Sequence, residues 1–197
     1  MGFRKISILK NIEKDIKKGE QKKKVKVDVK WIFTIAILSF FISLFMSFVS
    51  EIMLSNVTLF FSILITLIFI ILGILFDIIG VSVTSSDEKV FHSMNAKKIR
   101  GASISVFFKK NAEKVSSFCC DVIGDICGVI SGSSGVVIAA TLSTSLAISP
   151  LVITLITTAV IASLTITGKA IGKSLAINNS NAILYNFAKI ISYVYRK

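Results

Sequence analysis

A chain of 197 residues that is 53% hydrophobic, with a formal net charge of +12 and a mean hydropathy of +0.80, is too apolar for an ordinary soluble domain. The positive charge does not describe a nucleic-acid surface, because the 23 Lys and Arg avoid the apolar stretches and fall into three groups, within residues 1–30, 85–115 and 168–197. His92 is the only histidine and Cys119, Cys120 and Cys127 form no CxxC pair, which excludes a histidine-centred triad or zinc site and leaves the cysteines as small apolar packing residues.

The class expected from these numbers is an all-α integral membrane protein with about four transmembrane or membrane-embedded helices, and not an enzyme. Cytoplasmic loops retain Lys and Arg. The three basic groups therefore place both termini and the central polar segment on the cytoplasmic side of a cell membrane, and richness in Ile, Lys, Phe and Asn points to a bacterial source.

Residues 1–30 begin with Leu9, Ile12 and Ile16 at helical spacing and end in Lys22, Lys23, Lys24, Lys26 and Lys30. They read as a basic cytoplasmic segment that orients the chain and attracts anionic headgroups, at about 1 kcal/mol per near-surface cation. So much charge over so long a span, with no small-x-small site after the apolar run, is unlike a cleaved signal peptide.

The uncharged run Trp31 to Val49 covers roughly 28 Å as a helix, enough to span. Glu51 and Asn56 then mark a short outer loop, where the sequon Asn56-Val57-Thr58 abuts the membrane and carries little weight. Val57 to Gly80, uncharged except for Asp77, returns the chain. Between Val81 and Val115 the pattern predicts a cytoplasmic turn of two short helices broken near Gly101. A third apolar stretch starts near Ser116 and contains Asp121, Asp125 and a Gly/Ser-rich part from Gly128 to Gly135. Residues 136–149 either extend it or form a re-entrant piece, since periodicity fits both.

A fourth span covers about Leu151 to Thr167, after Pro150, the only proline. From Gly168 the tail reads as an amphipathic helix on the cytoplasmic surface, with Ile183, Phe187, Ile190, Ile191 and Val194 near a 3.6-residue period. The expected organisation is one membrane domain, 31–167, between the basic segment 1–30 and a juxtamembrane tail, 168–197.

Asp77, Asp121 and Asp125 are the candidate functional residues. An acid within hydrocarbon costs at least about 2.5 kcal/mol on insertion scales and by default faces a cavity, an ion or a partner. No Lys or Arg lies in the same runs to neutralise them. Asp121 and Asp125 fall on one helical face at a spacing that suits a shared cation; the plainer reading is two solvated acids near the cytoplasmic mouth. Cys120, Gly124, Gly128 and Gly132 form a small-xxx-small stripe that lets another helix approach, within the chain or across a dimer.

Ser85-Ser86-Asp87-Glu88, the basic turn with Ala102 and Lys110 to Lys114, and Val122-Ile123-Gly124-Asp125 together resemble the transmembrane domain of the CorB/CorC and cyclin M (CNNM) magnesium transporters, without their CBS domains. In that family a Ser-Gly-Ser-Glu-like signature closes one membrane helix and a Leu-Ile-Gly-Asn-like signature opens the next. The resemblance implies a homodimer in the lipid bilayer that handles a divalent cation, Mg²⁺. By position it implies metal ligands at Ser85, Glu88 and Asp125, to which Asp121 is added from its place on the face of Asp125. Asp125 stands where the family has Asn, Val129 takes the place of another Asn, and the helix Trp31 to Val49 is additional. The competing expectation is a non-transporting membrane protein that assembles with partners through the glycine stripe and basic loops.

Overall fold

The structure, a computed structural model, describes residues 29–54, 58–146 and 149–194, and all its regular structure there is helical. The helices are α1 (Val29–Leu54), α2 (Leu59–Ser85), α3 (Glu88–Ala96), α4 (Ala102–Lys110), α5 (Ala112–Ser117), a π-helical segment (Phe118–Gly124), α6 (Asp125–Leu146), α7 (Pro150–Asn178) and α8 (Ser180–Val194). Among the described residues, four stretches are long and apolar enough to cross a membrane: Val29–Ile52, Leu59–Ser85, Ala112–Ser145 and Pro150–Asn178. The chain divides into two compact units, residues 1–36 and 37–197. Of the first, only the opening turns of α1 are described, so the basic segment and its apolar positions lie outside the described residues, as do Asn56, Val57, Arg196 and Lys197.

Helices α2, α6 and α7 pack against one another as the core of the second unit. The buried positions of α2 recur at helical spacing and are mostly small or polar: Ser62, Thr66, Gly73, Asp77, Gly80 and Ser82, with Phe69, Ile70 and Val83. Its outward positions are large and apolar, among them Phe60, Phe61, Leu64, Leu67, Ile68, Ile71 and Leu75. The buried hydroxyls are satisfied within their own helices, as in Thr66 Oγ1 to Ser62 O at 2.8 Å and Ser134 Oγ to Ile130 O at 2.8 Å, so they line the interior without orphaned donors. Small side chains at the seams bring the helix backbones close together.

The break expected near Gly101 is present, between α3 and α4. Gly101 adopts φ 86°, and a Cβ there would stand 3.0 Å from Lys189 Cα of α8, so both the turn and the approach of α8 require glycine. Helices α3, α4 and α8 cap one end of the core around Val83, Phe91, Val106 and Leu184. Asn181 Oδ1 accepts the Asp87 backbone N–H at 2.8 Å, and Lys109 Nζ donates to Val83 O at 3.2 Å and Thr84 O at 2.8 Å, satisfying carbonyls left open at the end of α2.

The polar stretch forms a third short helix, α5, that leads directly into the π segment. Residues 136–146 continue α6, which favours extension over re-entry. The helix expected to stop at Thr167 runs on through Gly168 to Asn178, and the amphipathic helix begins at Ser180. On α8 the buried face is Ser180, Leu184 and Ala188, whereas Ile183 and Phe187 are half-buried and Ile190 is exposed.

Candidate functional site

The continuation of α7 brings together charges that the sequence separates. Gly168 and Gly172 lie against α2: a Cβ on Gly168 would collide with Ile74 Cδ1, and one on Gly172 would stand 2.9 Å from Ile78 Cγ1. Without those carbons α7 and α2 come close, and Lys169 and Lys173, one turn apart beside the seam, reach the acids of the neighbouring helices. Lys169 Nζ donates to Asp125 Oδ1 at 3.2 Å. Lys173 Nζ stands 4.0 Å from Asp77 Oδ2.

These two pairs differ in environment. Asp77 is 5% exposed and Lys173 is 55% exposed, so the acid is inside the bundle while the lysine reaches it from the rim. Its Oδ2 is buried with no hydrogen-bond partner, and 4.0 Å is an ionic rather than a hydrogen-bonding distance. A buried carboxylate in this state depends on the nearby cation to offset its desolvation. The order is reversed at the second pair, where Lys169 is 21% exposed and Asp125 68% exposed. The absence of neutralising cations expected for these acids holds within their own helices, and α7 supplies the cations instead.

The π segment positions the acids on this side. A π turn closes i→i+5 bonds and widens the helix locally. Cys119, Val122 and Gly124 turn inward, and Asp121 points out. Gly80 of α2 presses on this widened turn, since a Cβ there would collide with Cys120 Sγ and stand 3.2 Å from Ser116 O. Cys120 Sγ in turn lies 3.7 Å from the backbone oxygen of Asp77, which places Asp77 and the start of the acidic helix at one level.

Ser85 and Glu88 lie elsewhere. Ser85 ends α2, exposed, and Glu88 opens α3, where its Oε1 lies 3.1 Å from His92 Nε2. Along α2, Ser85 is about 12 Å from Asp77. Of the four residues expected to bind metal, Ser85 and Glu88 thus lie at the capped end, and Asp121 and Asp125 at the π-to-α junction. Among the described residues no three His, Cys, Asp or Glu side chains form a group able to hold a metal ion.

The glycine stripe also divides. Gly124 packs within the chain, where a Cβ would stand 3.7 Å from Gly73 O of α2 and 3.7 Å from Lys169 Nζ, whereas Gly128 and Gly132 would meet nothing within 4 Å. The residues missed in the sequence are Lys169 and Lys173, and their signal is the doublet Gly168-Lys169 repeated as Gly172-Lys173, which puts two glycines and two cations on adjacent stripes of one helix. No family model, curated protein or solved structure matches this chain.

Proposed function

We propose that the chain is a multi-pass cell-membrane protein of the CorB/CorC-like kind that binds and conducts a divalent cation, most simply Mg²⁺, at the charged centre formed by Asp77, Asp121 and Asp125. Membrane placement is supported by the inside-out distribution of side chains, with serine, threonine and glycine in the interior and phenylalanine, leucine and isoleucine outside. Such an exterior far exceeds the apolar patches of water-soluble proteins. The basic groups then set both termini and the cap of α3, α4 and α8 in the cytoplasm.

The observation that carries the functional reading is the common depth of the charges. From Leu59, Leu146 and Pro150, the ends opposite the cap, Asp77, Asp125 and Lys169 lie roughly 27, 32 and 29 Å along their helices at 1.5 Å per residue. With a hydrocarbon core of about 30 Å, all three reach its cytoplasmic boundary. Ionisable groups on membrane helices that face the bundle interior mark ion paths by default, and the buried Asp77 is such a group. Mg²⁺ keeps several waters and needs only one or two carboxylates, so the exposed Asp121 and Asp125 suit it, with Ser85 and Glu88 as polar groups nearer the cytoplasm. Purified protein in liposomes loaded with a Mg²⁺ indicator should admit Mg²⁺, and Asp125→Ala should abolish the flux. Equal flux with and without that substitution would overturn this reading.

A second reading, a non-transporting membrane protein that assembles with partners, is favoured by the open face at Gly128 and Gly132, which continues through the exposed Val129 and Val136. A second copy packed there would make a homodimer.

A further inference from the structure

We propose that Lys169 is a tethered competitor for the cation at Asp125: the ion pair and metal binding exclude each other, and Lys169 sets how strongly a divalent ion is held. This rests on the cation reading above. The ammonium already provides what a bound cation would provide, a positive charge 3.2 Å from Asp125 Oδ1. Lysine is a compact point charge on a flexible stem. Its neighbour Gly124 has no side chain to confine it, since a Cβ there would stand 3.7 Å from Nζ.

The exposures favour displacement. Asp125 is largely exposed, so an arriving hydrated ion can reach it, while Lys169 is largely covered. Lys173, one turn further along α7, is committed to the buried Asp77. Two tethered positive charges therefore face two acids, Asp125 and Asp77, and a dication entering beside them is repelled by the lysines twice as strongly as a monovalent ion at the same distance. Lys169 thus acts on valence as well as affinity.

The test uses the full chain in detergent, with MgCl₂ as the probe at fixed ionic strength, so that screening stays constant. Mg²⁺ affinity is read from the rise in melting temperature. Lys169→Met should tighten Mg²⁺ binding about tenfold, equivalent to ~1.4 kcal/mol, and Lys169→Arg should leave it near the wild-type value. Lys169→Gln removes the charge but keeps a hydrogen-bond donor for Asp125; it should match Lys169→Met and covers the case in which the methionine variant does not fold. Equal affinity in wild type, Lys169→Met and Lys169→Gln, or weaker binding in the uncharged variants, would overturn the competitor role and leave the cation reading standing. No Mg²⁺ response in any of the four proteins would overturn both.

Discussion

Lys169 and Asp125, 44 residues apart in the sequence, meet at 3.2 Å, and the lysine stands on a stretch of α7 whose two glycines pack against α2. Gly168 and Gly172 remove the side chains that would hold α7 off α2. Close packing and charge pairing thus come from one short segment, and a substitution in it disturbs both. Asp77 and Asp125 thus find their counter-charges on α7.

Lys173 should contribute to stability through Asp77. Removing one partner of a buried pair leaves an uncompensated charge and costs about 3–5 kcal/mol when both are buried. Here the lysine is 55% exposed and 4.0 Å away, so screening reduces the expected loss for Lys173→Met to about 1–2 kcal/mol. The double variant Asp77→Asn/Lys173→Met should recover most of it. Thermal unfolding in detergent measures the cycle, and an unchanged melting temperature in Lys173→Met would show that Asp77 does not need this cation.

Two helical glycines should respond oppositely. At Gly73 a Cβ would stand 3.1 Å from Cys127 Cβ and 3.3 Å from Gly124 O, so Gly73→Ala should cost about 1–3 kcal/mol through overpacking. Gly132 meets nothing within 4 Å, so Gly132→Ala should leave the protomer unharmed or gain up to about 1 kcal/mol of helix propensity. Gly128→Leu should likewise spare the protomer while splitting a dimer built on that face. Melting temperatures and light scattering in detergent distinguish these outcomes.

The cap should depend on α8. Leu184 is fully buried in its apolar cluster, and Leu184→Ala should cost about 2–5 kcal/mol. Asn181→Ala removes the acceptor of the Asp87 N–H and should cost about 1 kcal/mol. Hydrogen exchange should show α3 and α4 opening earlier in both variants. Unaltered protection would mean that α8 is dispensable to the cap.

The helices were legible because hydropathy runs and glycine breaks are local signals. Most of α2, expected over Val57 to Gly80, and the break at Gly101 follow from residues within a few positions of one another, although α2 runs on to Ser85. The end of α7 was not legible in the same way. Gly168, Lys169, Gly172 and Lys173 lower apolarity and read as the edge of a membrane span, yet packing against Ile74 and Ile78 holds this stretch helical. The pairing of Asp125 with Lys169 is a tertiary fact that hydropathy does not encode. The π segment was equally hidden: it changes the face on which Cys120 and Asp121 fall, so a stripe drawn at strict four-residue intervals could not remain one surface.

Topology is open to a direct check. In a background with Cys119, Cys120 and Cys127 replaced by serine or alanine, an impermeant maleimide added outside intact cells should label Ser149→Cys and leave Gln21→Cys and Lys97→Cys unlabelled. Labelling of Gln21→Cys or Lys97→Cys from outside would reverse the orientation assigned from the basic groups.

If the charged centre binds a divalent cation, Mg²⁺ must protect the folded protein against heat. A ligand that binds only the folded state stabilises it by about 1.4 kcal/mol at ten times its dissociation constant. Millimolar MgCl₂ at fixed ionic strength should raise the melting temperature of the wild-type protein. Asp125→Ala should abolish the rise, and Asp125→Asn should retain part of it through its remaining oxygen. The same rise in wild type and Asp125→Ala, or none in either, would contradict the claim.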